Sequence, residues 1–408
     1  MATVDRILTT HVGSLVRPPE VLAYLDALER GDEVDEQARD AALTRAVAGL
    51  VRQQTDAGID VVSDGEVGKV NWISYLYQRL AGLEVKPQKP GATFMPPSRD
   101  RQHFPEFYAE EDAALLSQLR RVAFIGEKGI RARRGATPAG PEVWTVTGPV
   151  HYDGQALLQR DIDRLQAAIA ASPSAAGFLP VVAPASTYWL DNEYYKSDEE
   201  LMFALADALH VEYAAIAASG LFLQVDDAVL VHEYDSILSR GGSVADYQRW
   251  AQLRIDALKH ALRGIPPERV RYHVCWGSWH GPHVYDPPLA EVVNLVLQVP
   301  ARYYLIEQAN PRHEHEWKLW ETVRLPEDKV LVPGVVTHHT NVVEHPELVA
   351  QRLTRLARIV GRERVMGGTD CGFAQGAYIR RVHPSIQWAK LRALAEGAAL
   401  ATRELWRT

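Results

Sequence analysis

The chain has 408 residues, 47% hydrophobic and 24% charged, a balance that suits a large folded core and excludes intrinsic disorder. A formal charge of −8 with scattered arginines leaves no basic footprint for nucleic acid. The N-terminal stretch lacks a basic segment followed by an apolar one, and no run of ~18 apolar residues occurs, so the expectation is a cytoplasmic protein without a membrane partner.

In chain order, a helix is predicted from Asp40 to Ala57, feeding a strand at Ile59–Asp64. Thr9–Ser14, Trp144–Thr147 and Leu179–Ala183 are further strand candidates. Leu201, Leu205 and Leu209 mark one face of a helix that stops at Gly220, before the strand Leu221–Asp227. Ser243, followed by Asp246 three residues on, reads as the start of a helix ending at Gly264. Strand Val270–Trp276, helix 288–298, strand Tyr303–Gln308, helix 313–323 and strand Val330–Thr337 continue the alternation. Helix 346–360, strand Val365–Asp370 and a final helix from Ser385 to Trp406 complete it.

Strands separated by helices imply parallel pairing through right-handed crossovers. The expected architecture is a single (β/α)8 barrel over residues 1–408, the TIM-barrel class, with nine strand candidates for its eight positions. Residues 88–142 interrupt the alternation and read as an inserted lid or interface arm. A doubly wound open sheet is the competing architecture, but no G-x-G-x-x-G follows a strand.

Catalytic groups in such a barrel project from the C-terminal ends of the strands. Asp64, Glu66, Asp226, Asp227, His273, Cys275, Glu307, His338, His339, Asp370 and Cys371 all fall there. Two cysteines, Cys275 and Cys371, exclude a disulfide framework and are either core thiols or metal and redox ligands. One residue separates His273 from Cys275, and period-two alternation turns both to the same side. With Glu307 and Cys371 they make one imidazole, two thiolates and one carboxylate, a set that suits Zn²⁺. The bland alternatives are a buried cysteine beside a hydrogen-bonded histidine, and a glutamate in an ion pair.

These residues lie in a longer series: THVGS (Thr10–Ser14), SDGE (Ser63–Glu66), VTGPV (Val146–Val150), LQVDD (Leu223–Asp227), HVC (His273–Cys275), IEQAN (Ile306–Asn310), PGVVTHH (Pro333–His339) and TDCG (Thr369–Gly372). The series resembles the catalytic C-terminal barrel of cobalamin-independent methionine synthase and, more broadly, the zinc thiol-alkyltransferases that include epoxyalkane:coenzyme M transferases. The resemblance implies zinc ligands at His273, Cys275, Glu307 and Cys371. It also implies substrate contacts at Ser14, Glu66 and Asp226, the two carboxylates holding an amino group, and a catalytic histidine at His339. Three departures accompany it: the large N-terminal half of the full synthase is absent, His151-Tyr152-Asp153 replaces a Trp-bearing segment, and Thr337 replaces an aspartate. They argue against a folate donor and leave the thiol half of the chemistry intact.

The expected partners are therefore a small-molecule thiol and a methyl or alkyl donor, with homo-oligomerisation left open. Methyl transfer to a thiol such as homocysteine is the leading expectation. Alkyl transfer or demethylation with another thiol and electrophile, such as an epoxide, is the alternative, and a metal-free barrel related to uroporphyrinogen decarboxylase the third. A sulfonate-bearing thiol would need a cation, for which Lys69 and Arg17 are the candidates. His338 is expected to point away from His339, and the loop Trp276–Tyr285 to line the donor pocket with its aromatics. No carboxylate is placed beside His280 and His283, which argues against a second metal site there.

Overall fold

The computed structural model describes residues 5–30, 32–89, 97–112, 142–172, 176–187 and 190–407. Eight of its strands form one parallel sheet: β1 (Leu8–Thr9), β2 (Val61–Ser63), β3 (Ala176–Val182), β4 (Phe222–Asp226), β5 (Val270–Val274), β6 (Tyr303–Ile306), β7 (Val330–Val336) and β8 (Met366–Thr369). The order around the sheet is β1-β8-β7-β6-β5-β4-β3-β2. A parallel bridge between Thr10 and Val61 joins its two edges, which gives the (β/α)8 barrel.

Helices return the chain from each strand to the next, and their ends carry local stop and start chemistry. Asp35 caps Glu36–Asp56 by accepting from the amides of Gln37 and Ala38, and Ser243 with Asp246 forms a capping box on Val244–Ala261. Helix Glu36–Asp56 buries Leu43, Val47, Leu50 and Val51, spaced at three to four residues. This face packs into the large core between strands and helices. Among the described residues one helix, Asp198–Ala218, is long and apolar enough to cross a membrane by composition; it packs in the helical shell against Val244–Ala261.

A second, smaller core fills the barrel itself, with Val61, Phe178, Phe222, Tyr303, Leu305, Val332 and Met366 in contact. Among them Arg271 is 3% exposed. Its guanidinium donates to Thr10 Oγ1, His11 O and Gln224 Oε1 at 2.9, 2.9 and 3.1 Å and lies over the Phe178 ring. A cation this deep persists because its donors are satisfied by fixed neutral acceptors. Cys275 and Cys371 close this inner column at its C-terminal end.

Two sequence expectations need correction. Trp144–Thr147 is the surplus strand candidate: it belongs to Glu142–Tyr152, which pairs antiparallel with Leu80–Pro87 and parallel with Leu190–Asn192 in a separate sheet. The period of a strand is the same whichever sheet it joins, so periodicity alone does not distinguish them. Residues 313–323 form the 3₁₀ turns Glu314–Glu321 in place of an α-helix. Of the 88–142 insertion, residues 90–96 and 113–141 lie outside the described residues. Its helix Arg99–His103 docks on the barrel through an Arg99–Asp235 ion pair of 2.5 Å, and the Asp100 carboxylate accepts from the Val284 amide.

Candidate metal centre and substrate cavity

The parallel register of β4 and β5 sets Asp226 beside His273, and β8 ends one residue before Asp370 and Cys371. His273, Cys275 and Cys371 converge, each offering a donor atom within 4.8 Å of the others, and all three are buried. Their sulfurs stand 3.8 Å apart. Two sulfurs on arms of roughly 2.3 Å at the tetrahedral angle are separated by about 3.8 Å, so the spacing fits a shared zinc-sized ion.

Electrostatics act on the trio in opposite directions: Cys371 is poised as a thiolate, whereas Cys275 and His273 would each give up a proton to a bound dication. The Cys371 thiol is held well below its usual range, first by the Cys275 Sγ–H, then, against burial, by His273 and the Ser278 hydroxyl. That hydroxyl donates to Cys371 Sγ at 3.0 Å. Cys275 is pushed up by its Cys371 partner and by burial. Burial pulls the His273 imidazolium down, but Asp226 and the Cys371 thiolate outweigh it and raise it to about 10. Asp226 Oδ1 lies 3.0 Å from His273 Nδ1 and also accepts from Gln224 Nε2. A proton fixed on Nδ1 leaves Nε2 as the metal-facing nitrogen.

Glu307 stands outside the trio. Its Oε2 accepts from the Trp276 amide at 3.1 Å, while Oε1 accepts from Asn310 Nδ2 at 2.9 Å and faces His339 Nε2 at 3.4 Å. Glu307, His338 and His339 thus make a second cluster. Burial opposes the Glu307 carboxylate's charge, yet His339, His338 and Asn310 hold it well below the usual carboxylate range. The expectation that His338 points away from His339 needs correction, since their ring centroids are 4.0 Å apart. β7 ends at Val336, so strand alternation does not extend to residues 338 and 339.

A cavity of about 180 Å³ opens over the trio, lined by Ser14, Glu66, Asp226, Ser278, Trp279 and Arg381 among others. Glu66 reaches it from a strained turn, with φ of +56° directly after Gly65 at +70°. Its Oε2 is buried without a partner, and Lys69 Nζ lies 3.9 Å from Oε1. Burial, opposed by Lys69, pushes its carboxyl up to about 7. Ser14 Oγ donates to the Ala374 carbonyl and accepts from Arg17. Gly372, next to Cys371, admits this arrangement because a Cβ there would come within 2.7 Å of the Ser14 Cβ.

Neither cation proposed from sequence reaches the cavity. Arg17 spends its donors on carbonyls of Leu15, Glu66, Lys69 and Ala374 and on Ser14, and Lys69 donates to Pro180 O beneath the Tyr75 ring. The loop Trp276–Tyr285 does contribute Ser278 and Trp279 to the lining. The absence of a carboxylate beside His283 needs correction: Asp286 Oδ2 is 2.9 Å from His283 Nδ1 and 3.0 Å from His313 Nε2, which also faces Glu316 through Nδ1. Sequence reasoning missed Ser278, Asn310 and Arg381. The only signal for them was proximity to the HVC, IEQAN and TDCG segments.

No protein-family model matches the chain. It is 25% identical to the 2-hydroxypropyl-CoM lyase of Xanthobacter autotrophicus, over 98% of this chain and 96% of that one. It is 24% identical to a methionine synthase of Sulfolobus acidocaldarius, over 97% and 93% respectively, so its length is no departure from proteins of that name. Its fold superposes on a B12-independent methionine synthase from Shewanella sp. with a TM-score of 0.70, at 20% identity and over 98% and 99% of the two chains. The chain is therefore an enzyme of the transferase class, related over nearly its whole length to the cobalamin-independent methionine synthases and to 2-hydroxypropyl-CoM lyase.

Proposed function

We propose that this chain is a zinc-dependent S-methyltransferase that moves a methyl group onto a small thiol, with homocysteine as the acceptor that best suits the cavity. The observation that carries the reading is the His273–Cys275–Cys371 trio, its sulfurs 3.8 Å apart beneath a cavity with two carboxylates in its lining. His273, Cys275 and Cys371 are assigned as ligands; Glu307, whose oxygens accept from Trp276 and Asn310 outside this cluster, becomes the fourth donor only by turning one oxygen toward the ion. Zinc held there would keep a coordinated thiol deprotonated and nucleophilic near neutral pH.

The remaining steps belong to side chains. Asp226 fixes the tautomer of His273, and Ser278 draws charge from the Cys371 sulfur. Glu66, whose Oε2 is free, accepts the substrate ammonium with Asp226 beside it, and Ser14 lies against the bound amino acid. Val12, Ile73, Val229, Trp72, Trp279 and Ile379 form an apolar wall that keeps water from the nucleophilic sulfur. His339, oriented by Glu307, is assigned to protonate the leaving group. The described helix 99–103 of the 88–142 insertion, docked beside the loop that lines the cavity, suits a lid.

The relation to 2-hydroxypropyl-CoM lyase supports a second reading, alkyl transfer to another thiol, within the same site. Zinc content and methionine formation from homocysteine with a panel of methyl donors test the first reading. Methionine from at least one donor supports it. A zinc-free active enzyme would refute it, and failure with every donor alongside turnover of an epoxide and a thiol would favour the second.

A further inference from the structure

The cavity over the trio has one arginine, Arg381, and no lysine among its lining residues. It follows directly on the hairpin Ala374–Gly376 with Ile379–Arg380, and its amide donates to the Phe373 carbonyl at 2.9 Å. Its Nε donates to Gln375 Oε1 at 2.7 Å, and Gln375 Nε2 in turn holds the Gly372 carbonyl at 2.7 Å. The guanidinium is thereby tied to the backbone beside Cys371. Its two terminal nitrogens make no hydrogen bond and no ion pair among the described residues. Burial lowers its pKa to about 10, with the Cys371 thiolate and Glu111 opposing, so it stays charged at neutral pH. A fixed, half-buried guanidinium with its fork unused costs desolvation energy that an anion recovers through paired charge-assisted hydrogen bonds.

We propose that Arg381 is the specificity residue of this cavity, its guanidinium anchoring the acidic group of the thiol substrate. This rests on the thiol-transfer reading and adds to it the residue that holds the acidic end. Glu66, with its own unpaired oxygen in the same cavity, supplies the opposite charge. A thiol bearing both an acid and an ammonium satisfies both ends, whereas a neutral thiol leaves both unpaired. Gln375 is the positioning residue for the guanidinium.

The test is calorimetry of the zinc-loaded protein, as wild type, Arg381→Gln and Arg381→Lys, with zinc content measured on each. The probes are 3-mercaptopropionate, 2-mercaptoethanesulfonate, homocysteine and the neutral 3-mercaptopropan-1-ol, together with the sulfur-free anions butanoate and propane-1-sulfonate. Wild type is expected to bind the anionic thiols about tenfold or more tightly than the neutral one, the scale of hydrogen bonding to a charged group. Arg381→Gln should lose this preference at unchanged zinc content, and Arg381→Lys should keep part of it. Which anion binds better distinguishes a carboxylate from a sulfonate substrate. Equal binding of charged and neutral thiols by wild type, or a preference that survives in Arg381→Gln, overturns the proposal. If no thiol binds while the sulfur-free anions bind wild type and not Arg381→Gln, the thiol reading fails and the anion site stands. If neither class of probe separates wild type from Arg381→Gln, the anion site is overturned.

Discussion

The sulfurs of Cys275 and Cys371 stand 3.8 Å apart across 96 residues of sequence. Neither lies inside a regular strand: Cys275 follows the last residue of β5, and Cys371 comes two residues after the end of β8. Both sit where a parallel barrel directs its strand ends to one mouth. Replacing either sulfur removes one of the three converging donors. Cys371→Ala and Cys275→Ala should each fall from about one zinc per chain to a small fraction of it. Metal analysis beside circular dichroism checks this, and a folded variant that retains full zinc and turnover would sink the assignment.

Asp226 acts on the same centre at one remove. Its Oδ1 takes the His273 Nδ1 proton at 3.0 Å, and a neutral amide in its place is a weaker acceptor that does not hold imidazolium character. Asp226→Asn should weaken zinc binding by roughly 10–100-fold, the usual effect of removing such a partner. Competition with a chromophoric chelator at fixed pH measures it. An unaltered affinity would mean that His273 does not need this carboxylate.

Glu66 gives the cavity a pH response. Burial pushes its carboxyl up to about 7, and in the neutral acid form it offers an ammonium no charge. Binding of an amino acid should therefore tighten as pH rises through 7. Methionine is the suitable probe, because its thioether has no thiol proton to confuse the titration. Wild type should show the rise between pH 6 and pH 8, and Glu66→Gln should bind about tenfold or more weakly with a flat profile. A rise that persists unchanged in Glu66→Gln would assign the titration elsewhere.

Much of this arrangement was legible in the sequence, for reasons that differ by residue. His273 and Cys275 were readable as a pair because alternation on a strand is strict. The eight parallel strands followed from the regular exchange of period-two and period-3.6 patterns. Which of the nine strand candidates was surplus was not legible, and it proved to be the Trp144 strand in its separate sheet, because pairing partners are set by tertiary contacts that a local pattern does not carry. His338 was misplaced because the strand rule was extended past Val336, where the strand stops. Arg381 was invisible for another reason: nothing local distinguishes it from Arg380, and only the hairpin and Gln375 turn it to the cavity.

The loop that carries Ser278 and Trp279 rests on a buried chain of alternating charge, and that chain makes a last prediction. His313 is 2% exposed, lies between Asp286 and Glu316 at 3.0 Å each, and packs against the Trp276 indole with ring centroids 4.3 Å apart. Burial lowers its pKa, but the two carboxylates outweigh it and raise the imidazolium to about 9 from an ordinary value of 6.5. The folded state therefore holds a proton that the unfolded chain releases across this interval. The stabilisation is fully present below about pH 6.5 and is lost as pH rises through about 9, with an upper scale of about 3 kcal/mol. Denaturant unfolding at pH 6, 8 and 9.5 should show wild type losing stability along this course, and His313→Gln should be less stable at pH 6 with a flatter decline. Identical pH slopes in the two proteins would show that the proton on His313 does not hold this loop in place.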